Sequence, residues 1–309
     1  MTVYYSPPIN VRYIMTPKFI LSCESTLDIP YSYIEKRGLP VLFYNYTVDG
    51  TQYIDDMGRD PNALQNFYDM LKNGKLPNTT QLNPQQYYDY LEKVSEKGDV
   101  LHIAFSSGLS GSVNSAYIAL DMLKEAYPER KIVVIDSTCA SSGLGLLVDE
   151  IADMRDRGCS IDEAEKWARE NLCRIHSQFF TTDMKFLRRS GRVSGAAAAV
   201  ATVLNICPIM HLNRAGKIIA YSKVRGKKKA IDMTVSEMLT HAENGADYGK
   251  KCFISHSDCI ETAKEVQQAI ENSFPKLAGK VRIYDIGTII ASHTGPGTVA
   301  VFFFGDERQ

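Results

Sequence analysis

The sequence predicts an α/β protein of two domains: a three-layer α/β/α domain on a parallel sheet, then a two-layer α/β domain on a mixed sheet. Three observations predict it. From Phe19 onward, short β-rich runs alternate with helical stretches, the pattern of a parallel sheet covered on both faces. After about Gln178 the same kinds of element recur with less regular spacing, as a two-layer unit would give. A chain of 309 residues is long enough for one large or two medium domains. The expected division is an N-terminal extension over 1–18, broken by Pro7, Pro8 and Pro17, then domains over 19–177 and 178–309.

In the first domain, Phe19–Leu21, Pro40–Tyr46, Val100–Phe105 and Lys131–Ile135 are rich in β-formers and read as strands. Between them Asn62–Asn73, Gln85–Lys97, Ser115–Ala126 and Gly143–Arg157 carry apolar residues at helical spacing. In the second, Gln178–Thr182, Lys217–Ser222, Lys251–Ser255, Arg282–Ile286 and Val299–Phe304 read as strands, and Ala230–Glu243 and Ile260–Asn272 as helices. Ala196–Ala201 is a run of small residues that suits a closely packed helix start.

Composition excludes several classes of function. Thirty-five basic and thirty-six acidic residues leave a net charge of −1, so no global field draws nucleic acid or an anionic membrane. The seven cysteines are scattered without C-x-x-C or Cys/His spacing and read as reduced, mostly buried thiols. His102, His176, His211, His241 and His256 show no ligand spacing either, so no metal is assigned. With no signal-like leader and no 18-residue apolar span, a cytoplasmic protein is expected.

The segment Ser106-Ser107-Gly108-Leu109-Ser110-Gly111-Ser112 lies where an expected strand ends and a helix begins. Exposed N–H groups, hydroxyls and the positive end of the helix dipole suit a phosphate or carboxylate there. An ordinary capped turn has the same composition. No P-loop lysine or G-x-G-x-x-G spacing is present, so nucleotide phosphates are not favoured. In open α/β sheets ligands sit at the carboxyl ends of strands, which brings Asp136-Ser137 into the same crevice.

His293, followed by Thr294-Gly295-Pro296-Gly297, is expected in a tight loop that positions the imidazole to donate to a carboxylate. Pro77-Asn78-Thr79-Thr80-Gln81 reads as a polar loop that either starts a helix or offers a hydroxyl donor. Two basic clusters, Lys185/Arg188/Arg189/Arg192 and Lys223/Arg225/Lys227/Lys228/Lys229, are either solvated faces or a docking surface for an acidic partner or a phosphate. They lack the interleaved aromatic residues that single-stranded nucleic acid would require. Ser106 or Ser107 with His293 and Asp136 has the composition of a catalytic triad, but not the G-x-S-x-G elbow. The hydroxyls and imidazole therefore read as binders rather than nucleophiles.

Seven ordered segments carry a resemblance: Glu24-Ser25-Thr26-Leu27-Asp28, Pro77–Gln81, Ser106–Ser112, Asp136-Ser137, Gly191-Arg192-Val193-Ser194, Lys223-Val224-Arg225-Gly226 and His293–Gly297. From about Phe19 to the C-terminus the chain resembles the DegV family of bacterial fatty-acid-binding proteins, which includes the acyl-binding subunits of fatty acid kinase. The resemblance implies a long-chain fatty acid as ligand, buried between the two domains, with no cofactor and no catalytic residue of the chain's own. It implies that Thr79, Ser106, Ser107 and His293 hold the carboxylate. Ser25, Thr26, Gly108, Ser110, Gly111, Asp136, Ser137, Thr294 and Gly295 would support the pocket.

A separate ATP-dependent kinase would phosphorylate the bound acid to an acyl phosphate for phospholipid synthesis. Arg192, Arg225, Lys227 and Lys228 would then face that partner or the phosphate, and transient membrane contact would fit such a role. The alternatives are a serine-dependent acyl hydrolase or transferase, or a carrier of another anionic amphiphile. This chain has Glu24 where the family usually has Asp, and Thr-Thr-Gln-Leu over 79–82 where Thr-Ser-Gln-Pro is common; neither change removes a carboxylate donor.

Overall fold

The first half of the computed structural model, which describes residues 18–194 and 205–309, alternates strands and helices. In order these are β1 (Ile20–Glu24), α1 (Tyr31–Lys36), β2 (Val41–Leu42), β3 (Asn45–Val48), β4 (Thr51–Ile54), α2 (Ala63–Lys72) and β5 (Asn78–Thr80). Then come α3 (Pro84–Ser95), β6 (Val100–Ala104), α4 (Ser112–Ala126), β7 (Ile132–Asp136), α5 (Ser142–Asp156) and α6 (Ile161–Asn171). The second half holds β8 (Ile175–Thr181), α7 (Lys185–Ser190), β9 (Val193–Ser194), β10 (Ile206–Leu212), β11 (Ile218–Arg225) and α8 (Lys227–His241). It ends with β12 (Phe253–His256), α9 (Ile260–Ser273), β13 (Arg282–Asp285), α10 (Thr288–Thr294) and β14 (Thr298–Phe304).

The first sheet has order β2-β1-β6-β7 and is parallel throughout. Every residue of β6 is buried, as a strand covered on both faces must be. Helices cover the sheet in two packed pairs, α3 with α4 and α5 with α6. The second sheet has order β13-β12-β14-β8-β10-β11-β9. It is mixed: β12–β13 and β9–β11 run parallel, and the other pairings are antiparallel. The α/β class with a parallel and a mixed sheet is the one the sequence predicts. The small-residue run Ala196–Ala201, expected as a helix start, lies outside the described residues.

Helix α5 joins the halves, packing on β1 and on β8, β12 and β14. Its first three turns are largely buried, with Leu144, Leu146, Leu147, Val148 and Ile151 all inside, while Asp149 and Asp153 further along pair with Arg37 and Lys251. Gly143 and Gly145 let it approach closely, since a Cβ would stand 2.8 Å from Phe302 at the first position and 2.6 Å from Ile29 at the second. The C-terminal tail makes a further tie: Arg308 donates to the Thr138 carbonyl and hydroxyl and to the Leu172 carbonyl.

Several elements differ from the sequence expectation. Pro40–Tyr46 is two strands in two sheets: β2 edges the parallel sheet, while β3 pairs with β4 and β5 in a small antiparallel sheet. β3 and β4 are joined by the turn at Asp49-Gly50, both at positive φ (48° and 84°), the conformation of a two-residue hairpin. Pro77–Gln81 is not a free loop, because Asn78–Thr80 pairs with Asn45–Thr47. His293 is in the last turn of α10 rather than in the Gly-Pro loop, which starts at the C-cap Gly295. The unforeseen α6 opens on a capping box between Ser160 and Glu163.

Candidate functional site

A cavity of about 750 Å³ lies between the two halves, within the size range of small-molecule sites. Alternate residues of two neighbouring strands form one wall, Ser177 and Phe179 from β8 and Ala300 and Phe302 from β14, as the two-residue period of a strand requires. Ile286, Ile289 and Ile290, at and before the start of α10, continue the apolar lining, opposite Phe105 and Ala140 from the first half. The other end is polar. Thr79, Gln81, Ser107, Ser110, Arg192 and His293 line it as a polar pole around the Thr79–His293 pair, while Ser141, Ser177 and Thr298 put further hydroxyls in the lining.

At that pole Thr79 Oγ1 and His293 Nε2 lie 2.8 Å apart, joining the small sheet to α10. His293 Nδ1 is buried without a partner. Burial, with Arg192 and Arg189 nearby, pushes the His293 pKa down to about 4, so the ring is neutral at pH 7. The start of α10 is held by two buried carboxyl groups: Gly287 N donates to Asp28 (3.0 Å), and Thr288 N and Oγ1 donate to Asp55 (3.2 and 2.8 Å). Burial raises Asp28 well above the usual carboxylate range and Asp55 to about 6. Ser141, a cavity residue at φ 54°, donates to Asp28 at 2.6 Å. Asp28, Asp55 and Ser141 thus fix where His293 stands; no spacing in the sequence signals it.

The serine loop divides its roles. Ser107 is exposed and lines the cavity, and its backbone N–H donates to Asp136 at 3.2 Å. Ser106 departs from expectation: it is fully buried, its hydroxyl donates to the Gly216 carbonyl (3.0 Å) and accepts from Gly108 N (3.1 Å). With its proton committed to the backbone of the other half, Ser106 is a strut between the halves. Gly108 is required there, because a Cβ would collide with the backbone of Ala215 and Gly216.

Ser110 lines the cavity and hydrogen-bonds Ser112 at 3.0 Å, while a Cβ on the neighbouring Gly111 would meet Gln81. Thr294 lines the cavity with its hydroxyl given back to the Ile290 carbonyl, and a Cβ on Gly295 would strike the Phe186 ring. Asp136, Ser137 and Ser25 instead brace backbone, accepting from the N–H groups of Thr138, Cys139 and Tyr44. The Thr26 hydroxyl is buried without a partner. The imidazole of His293 pairs with Thr79, while Asp136 accepts backbone N–H groups, so the described hydrogen bonds do not assemble a Ser–His–Asp relay.

Glu24 lies buried behind the cavity residues Tyr44 and Phe105. It accepts from the Tyr44 and Tyr87 hydroxyls and, at 2.9 Å, from Phe105 N, with His102 Nε2 at 3.3 Å. Both carboxylate oxygens are therefore used.

The basic residues separate into two places. Arg192 lines the polar pole together with Lys217, which the sequence did not single out. Both are exposed, and neither has an acidic partner among the described residues. Arg225 lies on the exposed side of β11, away from the cavity lining. Lys227 and Lys228 are paired with Glu265 (2.7 Å) and Asp232 (3.0 Å); one acid remote in sequence and one a helical turn away thus offset part of the second cluster. All seven cysteines are unpaired, four of them buried. No described helix is long and apolar enough to cross a membrane.

Two sheets enclosing a cavity lined by strand residues and by the polar group around Thr79 and His293 define the class to which this fold belongs. The chain belongs to the DegV family: a family model described as an uncharacterised protein of that family matches residues 18–306. A DegV domain-containing protein of Clostridium perfringens is 36% identical over 295 residues, which cover 94% of this chain and 99% of that one. A DegV family protein from Thermus thermophilus, described for its fatty acid binding, superposes with a TM-score of 0.80 at 26% identity over 93% of this chain and 99% of the other. The Streptococcus pneumoniae Fatty Acid Kinase (Fak) B3 protein loaded with linoleic acid shares the fold, with a TM-score of 0.79 at 21% identity over 94% of this chain and 100% of that one.

Proposed function

We propose that this chain binds a long-chain fatty acid in the inter-sheet cavity and presents its carboxylate, at the polar pole, to a separate ATP-dependent kinase. The observation that carries the reading is one 750 Å³ cavity whose lining joins a largely apolar wall to a group of polar side chains around the Thr79–His293 pair. Each methylene buried against that wall contributes about 0.8 kcal/mol, so the tail supplies affinity while the polar pole sets orientation.

Two donors converge on the carboxylate. The unpartnered Nδ1 of His293 is better tolerated as a lone pair than as a buried N–H, which assigns the proton to Nε2. Nε2–H then donates to Thr79 Oγ1, leaving the Thr79 O–H to donate into the cavity, beside the Ser107 hydroxyl. Arg192 and Lys217 add positive charge at the rim. Since Ser107 and Arg192 are exposed, a carboxylate held there lies within reach of a partner, and the exposure of Arg192 supports a role for it in meeting the phosphate being transferred. The chain is a carrier in this scheme, with the phosphoryl chemistry supplied by the partner.

Titration with a long-chain fatty acid tests the pole. Replacing Thr79→Val or Ser107→Ala removes a hydrogen bond to a charged group, worth about 1–3 kcal/mol or roughly 5- to 150-fold in affinity. Unchanged affinity in both variants would remove the carboxylate from this pole.

A further inference from the structure

We propose that His176, His241 and Asp306 form a binding site for a divalent transition-metal ion, zinc by preference, on the face of the mixed sheet turned away from the cavity. Three elements bring the residues together: β8 supplies His176, the last residue of α8 is His241, and Asp306 follows β14. In sequence, 65 residues separate His241 from Asp306 and 130 separate His176 from Asp306, so no motif spacing shows the site.

The ligand atoms all lie within 4.8 Å of one another. His176 Nε2 is 3.0 Å from Asp306 Oδ1, and His241 Nδ1 is 3.1 Å from the same oxygen. Tetrahedral zinc with bonds near 2.0–2.1 Å has ligand–ligand edges of about 3.3 Å, so these gaps open only slightly around an ion. Two imidazoles and one carboxylate are a donor set for zinc rather than for calcium or magnesium, which prefer oxygen.

The surroundings suit an ion. His176 forms a buried floor, with 6% of its side chain exposed, whereas His241 and Asp306, at 33% and 61%, leave access from solvent. Phe303 stacks on the His176 ring with 5.2 Å between centroids, giving the site an apolar back. Gly305 makes room, because a Cβ there would press on His176 and on the His241 carbonyl. Glu237 lies 3.7 Å from the other nitrogen of His241, where a carboxylate can orient a ligating ring.

At present the two imidazoles share the Asp306 carboxylate and stack on each other, with centroids 5.0 Å apart. Seating the ion replaces their two N–H protons and turns the more exposed His241 ring out of that stack. The site is separate from the cavity, since Ser177 and Phe302 face the cavity while their neighbours His176 and Phe303 meet on the other side. A bound ion would pin the tail whose Arg308 reaches across to Thr138.

The full chain would be titrated with Zn2+ by calorimetry and with Co2+ by visible absorption, and its thermal midpoint recorded with and without Zn2+. His241→Asn and Asp306→Asn change exposed side chains and spare the buried His176. The expected result is a bound equivalent whose affinity falls roughly tenfold or more in each variant, a Zn2+-dependent rise in the thermal midpoint that both variants lose, and unchanged fatty-acid affinity. Absence of binding, or binding and stabilisation equal in the parent and both variants, would overturn the site.

Discussion

Asp55 shows how a residue far from the polar pole sets its geometry. It is buried, accepts two hydrogen bonds from Thr288 and has its pKa raised from 3.8 to about 6 by desolvation. Between these values the folded state keeps a proton that the unfolded chain has released. That contribution is present below pH 4 and is lost as pH rises through 6. Asp55→Asn retains an acceptor for Thr288 and cannot ionise. Thermal melts from pH 4 to 7 should therefore show the parent losing up to about 3 kcal/mol relative to the variant; parallel curves would show that Asp55 is ionised at every pH in the series. At this scale Thr79, Ser107 and His293 were legible as polar residues in ordered motifs. The bonds that sort Ser106 from Ser107 were not, because Gly216, which captures the Ser106 proton, comes from the other half of the chain.

Helix α10 carries the next level of control. Its sequence, Thr-Ile-Ile-Ala-Ser-His-Thr, contains two β-branched isoleucines and no strong helix signature, and the Asp28 and Asp55 carboxyl groups at its start come from distant segments. That is why His293 reads as a loop residue in the sequence and is helical in the structure. Gly287→Ala would place a Cβ 2.7 Å from Asp28 Oδ1, moving the helix start and with it His293. A lower thermal midpoint, by an amount equivalent to about 1–3 kcal/mol, should accompany weaker fatty-acid binding; normal affinity in a destabilised variant would separate the helix start from the site. The alternating strands and long helices were legible from periodicity. The Asp49-Gly50 hairpin and the Ser160–Glu163 cap also stand in the sequence as local signals, yet a β-rich run such as Pro40–Tyr46 does not show where it changes sheet.

At the scale of the whole molecule, two sheets were legible, but the space between them was not, since a cavity depends on which faces meet and how large their side chains are. The apolar wall gives a direct test of tail burial. Ala300→Phe places a ring in the cavity wall lined by Phe179 and Phe302, and should weaken binding of long acids more than of short ones. An equal loss for every chain length would place the tail elsewhere. The most direct measurement is denaturing extraction of the purified protein, with mass spectrometry of both the released small molecules and the chain. A long-chain fatty acid near one equivalent, released without covalent attachment, is the predicted result. An acyl adduct on the chain, or a cavity yielding no amphiphilic acid and taking up none when supplied, would contradict the carrier account.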